Sequence, residues 1–174
     1  MLLQPDSDQQ HEGLHDVGPM AVGEVLPQTL SAAQIRRLTE ALIEQEEAGN
    51  CVVLEPWHHF ADGLIARTLL IKAGTVLTGC AHKFEHMSIC AGDITVWTSG
   101  ERRRLTGYHV LPCKPGAQRA GVAHADTYWT TVHLNPTNER DLSMLEDMLV
   151  HNAEMLQSRR LARLGMDQPK EIET

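Results

Sequence analysis

CVVLEPWHHFADGLIARTLLIKAGTVLTG, residues 51–79, breaks into short apolar runs separated by turn residues: CVVLEP, then ADG, LIARTLLI, KAG and TVLTG. Brief strands at even spacing with Gly or Asp between them are the habit of an antiparallel sandwich or barrel. The rhythm continues through HMSICAG, DITVWTSG, RRRLTG, YHVLP, PGAQRAGVA and TYWTTVHLNP. Ser99 and Gly100 fit a tight hairpin turn between two of these runs. Roughly eight or nine short strands are expected.

Outward from this block the period changes. Ser31, Ala32, Ala33 and Gln34 form a capping-box start, and Ile35, Leu38 and Leu42 recur at helical spacing until Gly49. After Pro136, Asn138 and Asp141 stand as caps, with Leu142, Leu145, Met148, Leu149 and Leu156 on one side of a second helix. Arg159, Arg160 and Arg163 suit its C-terminal dipole, and Gly165 ends it. Residues 1–23 are polar and without hydrophobic period, which reads as a flexible arm. Residues 24–165 form one domain with flanking helices, and 166–174 a frayed tail.

The 174 residues carry 15 basic and 23 acidic side chains, a formal charge of −8 that repels nucleic acid and anionic membranes. With 3 Trp, 2 Tyr and 2 Phe, a base-stacking platform is hard to assemble. Absence of a long apolar run or a leader-like start implies a cytoplasmic protein, with no membrane and no nucleic acid among its partners. Cysteines 51, 80, 90 and 113 match no zinc-knuckle spacing, and most of them read as reduced, packed thiols.

The candidate chemistry lies in GCAHKFEHMSICAGD, residues 79–93. Imidazole with carboxylate suits a divalent ion such as Zn, Fe, Mn or Ni. If residues 85–91 are a strand, Glu85, Met87, Ile89 and Ala91 share one face and His86, Ser88 and Cys90 the other. The Met87–Ile89 face should point inward, taking Glu85 with it and leaving His86 outside. One residue of slip would exchange the two, so both stay candidates. In the last run His133 shares a face with Trp129 and Thr131 and can come up beside His82.

The run HKFEHMSICAG resembles the first cupin motif, with Glu85 and Gly92 at the motif's spacing, and His82, Glu85 and His86 are similar to a shortened HxxEH version of it. Cys80 replaces the family's usual first histidine. In the second motif Lys114–Arg119 puts an arginine where a histidine is usual, so that His124 or His133 must serve instead. Residues 57–147 also resemble small cupin-like proteins of bacteriophages and prophages, a group that implies no established activity.

The resemblance implies a mainly β, cupin-type jelly-roll barrel with an N-terminal and a C-terminal helix, holding one divalent metal ion. Candidate ligands are His82, Glu85, His86, His124 and His133. Glu85 and Arg119 are the candidate catalytic residues, Arg119 steering the anionic group of a small molecule. The plainer readings are histidines satisfied by hydroxyls, Arg119 ion-paired with Asp126, Glu85 partnered by Lys83 or Arg119, and His58 and His59 in a loop. The alternative function is a structural or assembly protein of a virion, contacting other virion proteins and forming homo-oligomers such as a dimer.

Overall fold

The computed structural model describes residues 26–50, 52–98 and 100–163. The expected arm, the tail, Cys51 and Ser99 lie outside the described residues.

Helix α1 spans Ala32–Glu47. Ser31 caps it as expected: its hydroxyl accepts from the Gln34 backbone N–H, and the Gln34 side chain accepts from the Ser31 N–H. Ile35 is its anchor, buried with Trp97, Ala120 and Val122, and Trp97 donates its indole N–H to Pro27 O at 3.0 Å.

The remainder of the core is a single antiparallel sheet. Its strands are β1 (Pro56–Ala61), β2 (Leu64–Ile71), β3 (Val76–Thr78), β4 (His86–Thr98), β5 (Glu101–Cys113) and β6 (Arg119–Leu134). The order is β1-β2-β6-β4-β5, and β3 pairs with the first part of β6. The protein is thus mainly β with helices at both ends, as expected.

The strand count differs from the expectation for a physical reason. Each of the three long strands runs through two of the predicted short ones. In β4 the break between HMSICAG and DITVWT is a bulge: pairing with β6 shifts register between Ala91 and Ile94. Gly92 sits there with φ 152°, so close to β6 that a Cβ would lie 2.4 Å from Thr127 Oγ1. Opposite it, Gly107 (φ 84°) lets β5 bend without ending. These glycines bend strands instead of reversing them, which local sequence does not distinguish. The β4–β5 hairpin itself closes with Thr98 paired to Glu101.

The second helix also differs from the expectation, being three pieces: α2 (Leu142–Leu149), a 3-10 turn (Ala153–Met155) and α3 (Gln157–Arg163). Asp141 is the N-cap, accepting from the Ser143 and Met144 N–H groups. Asn138 instead accepts from Gly63 N–H and donates to Asp62. Val150 leaves the helix to form an extended bridge with His82, and Asn152 turns with φ 53°. Those tertiary contacts outcompete a continuous helix. Arg160 then ties α3 to α1 through a fork on Glu46, Nε to Oε1 at 2.7 Å and Nη2 to Oε2 at 2.8 Å.

Between the inner sheet face, α1 and this C-terminal segment lies a cavity of about 930 Å³. Its wall mixes aliphatic side chains such as Leu69, Ile71 and Leu77 with polar ones, Arg67, His82, His86, Ser88 and Arg119 among them.

Candidate metal centre

Three histidines meet where the cavity touches the sheet. His86 opens β4 opposite Cys113. His133 lies near the end of β6, opposite Ile65 of β2. His82 precedes β4 in a segment held from two sides: His151 N–H donates to Ala81 O, Lys83 N–H to Leu149 O, and Gly116 N–H to His82 O. The non-helical course of residues 150–152 is therefore part of what fixes His82.

The ring centroids stand 4.2 Å apart for His82 and His86, and 4.7 Å from each of these to His133. One nitrogen from each ring lies within 4.8 Å of the others. His86 and His133 are buried and His82 partly so. His86 Nδ1 is 3.2 Å from Phe84 O, which assigns the proton to Nδ1 and leaves Nε2 with a lone pair. His86 Nε2, His82 Nδ1 and His133 Nδ1 are all buried without a hydrogen-bond partner among the described residues.

Buried ring nitrogens without a partner on three clustered imidazoles are costly unless something else engages them. Burial pulls His82 down to about 3, helped by its two imidazole neighbours and by the charges of Arg67 and Arg119. Burial likewise pulls His133 to about 4, with His86 adding to it. Both rings are then neutral near pH 7, the form that ligates metal. The donor set fits a divalent ion: three clustered imidazoles suit Zn, Fe or Ni and leave further positions open.

The other expected site residues are elsewhere. Glu85 is exposed, because His86, Ser88 and Cys90 face inward and Met87 outward, the reverse of the expected parity. The apolar Met87–Ile89 face misled the reading, since it is an outer face that happens to be apolar. Glu85 therefore stands apart from the three imidazoles. His124 alternates with the core residue Ala123, and its Nε2 lies 2.7 Å from Thr95 Oγ1. It joins neither the triad nor the cavity wall.

Arg119 does line the cavity, and its Nη2 donates to Cys113 Sγ at 3.1 Å. Asp126 pairs with Lys72 at 2.7 Å, not with Arg119, and Lys83 donates to Asp147 O, not to Glu85. Burial would raise the Cys113 thiol, but the neighbouring His86 and Ser88 side chains and the Arg119 charge outweigh it and hold the thiol at about 7. Cys80 packs against Val150, Ala153 and Leu156, where burial pushes its thiol up. With Cys90 in the core, these three are free thiols, as expected.

Two residues escaped the sequence reading. His58 lies in β1, not a loop, opposite Arg67 of β2. Arg67 points into the cavity, and its Nε is buried with no hydrogen-bond partner among the described residues. The signal was the alternation of LIARTLLI, where Arg67 shares a face with Ile65 and Leu69.

No family model matches the chain. No curated protein matches it in sequence. Among solved structures it is similar to KdgF from Halomonas sp., at 17% identity over 51% of this chain and 81% of that one, with a TM-score of 0.41. It is similar also to a cupin superfamily protein from Desulfitobacterium hafniense, at 11% identity over 50% of this chain and 85% of that one (TM-score 0.41). A third is the cupin domain of Schizosaccharomyces pombe Cnp3, at 19% identity over 49% and 66% (TM-score 0.40).

Proposed function

We propose that this is a cupin-like metal-binding protein that holds one divalent ion, Zn, Fe, Mn or Ni, on His82, His86 and His133 and admits a small anionic molecule to the adjoining cavity. The observation that carries this reading is the cluster of three imidazoles, each offering one ring nitrogen within 4.8 Å of the others and each also having a buried ring nitrogen without a hydrogen-bond partner among the described residues. A bound ion would act there as a Lewis acid toward a substrate oxygen or water. The chain's own residues supply apolar side chains on the cavity wall, keep His82 and His133 neutral by burial, and present Arg119 beside Cys113.

The reading is tested by melting the metal-stripped protein with and without each ion. The wild type should gain several degrees with the preferred ion, as expected for a ligand that binds only the native state. His86→Ala and His133→Ala should lose that gain, while Glu85→Ala keeps it. A gain that survives both histidine variants would contradict the assignment.

A second reading has one observation in its favour. The outer sheet face exposes Met87, Tyr108, Val110 and Tyr128 on adjacent strands. Contiguous exposed apolar surface marks an interaction site. It supports the proposal that the chain works as a homo-oligomer, a dimer in the simplest case, and it is also what an assembly or virion protein of phage type would require.

A further inference from the structure

Arg67 lies on the inner sheet face between two different environments. The register places it opposite Thr131 of β6, and Thr131 opposite Ser88 of β4, forming a polar row. Two residues along β6, a span of about 7 Å, is His133 of the triad. In the other direction Leu69 faces Trp129, and beyond them comes Ile71, all on the cavity wall.

The guanidinium has no ion pair among the described residues, although burial works against its charge. Glu146, whose charge acts on it, is already paired with Arg159 at 2.7 Å. The carboxylates on the cavity wall belong to α1 and the C-terminal segment: Glu40 is exposed, Glu46 holds Arg160, and Glu154 pairs with Arg163. An arginine kept charged in such a place calls for an anion from outside.

We propose that the cavity takes a small carboxylic acid with an apolar body, its carboxylate paired with Arg67 and its chain or ring lying against Leu69, Ile71, Leu77 and Trp129. This rests on the small-molecule role proposed for the cavity. A carboxylate fits because one guanidinium edge satisfies both its oxygens. A phosphate needs a wider ring of donors, and the row of Arg67 offers only the hydroxyls of Thr131 and Ser88. The aliphatic rows begin one pleat repeat from the guanidinium, so head and body are separated as in an amphiphile, with the head on the triad side.

Titration calorimetry of the full chain with octanoate, acetate, octanol and inorganic phosphate tests this, with bound metal measured on the same samples. Octanoate should bind the wild type at least tenfold more tightly than acetate or octanol, and Arg67→Met should weaken it at least tenfold while metal content stays unchanged. Equal octanoate affinity in wild type and Arg67→Met, no octanoate binding by the wild type, or tighter phosphate than octanoate would overturn it. If Arg67→Met does not fold, Arg67→Lys keeps the charge without the fork and should show an intermediate loss. A wild type without metal that still binds octanoate through Arg67 would sink the metal reading and leave this one standing.

Discussion

His58 shows how one side chain carries the burial of the inner sheet face into a measurable property. Burial, with the facing Arg67 charge adding to it and Glu146 opposing, lowers His58 to about 4. In the unfolded chain it titrates near 6.5. Native His58 thus stays neutral while the unfolded chain takes up a proton, so its contribution is intact above about pH 6.5 and drains away as the pH falls towards 4. Metal-free wild type should lose more melting temperature between pH 7 and 5 than His58→Gln does. Identical losses would show that His58 is not neutral in the fold. The same scale explains what was legible around His86. Both faces of residues 85–91 alternate plausibly, and the choice between Glu85 and His86 turned on which was apolar. Since Met87 and Ile89 form an apolar outer face, composition pointed the wrong way; only the pairing of His86 with Cys113 resolves it. His133 was legible because Trp129 and Thr131 share its face, and His82 because it opens the HxxEH pattern.

At the scale of elements, the long bent strands rest on Gly92. Gly92→Ala would set Cβ 2.6 Å from Thr127 Cα, a backbone atom that cannot step aside. The substitution should cost about 3 kcal/mol, the upper range for overpacking, read as a lower denaturant midpoint with an unchanged slope. A cost under about 0.5 kcal/mol, typical of surface sites, would contradict the close β4–β6 approach. The C-terminal segment depends on a different contact. Glu46 is 8% exposed and Arg160 forks onto it. Glu46→Ala strands a half-buried guanidinium, and should cost about 3 kcal/mol or more while loosening the cavity wall. Hydrophobic period located both helices, and the capping box at Ser31 located one start to the residue. The break at Val150 was not legible, because it answers to a bridge with His82, some seventy residues away in the chain.

Among the described residues, apolar surface is presented inside, in the cavity, and outside, on the sheet. Mainly β architecture with terminal helices followed from the even spacing of short runs. The cavity did not, since it depends on how far α1 and the residues after Val150 stand off the sheet. If a second copy covers the outer face, Tyr108→Lys with Val110→Lys should turn a dimer into a monomer in light scattering while leaving metal content unchanged. An unaltered dimer would place the contact elsewhere.

The most direct test of the metal centre is elemental analysis of untagged protein after reconstitution, comparing wild type with His82→Ala, His86→Ala, His133→Ala and Glu85→Ala. The triad requires about one equivalent of a divalent metal in the wild type and in Glu85→Ala, since a single ion takes all three imidazoles, and a large loss in each histidine variant. No bound metal in the wild type, or retention in the histidine variants with loss in Glu85→Ala, would contradict it.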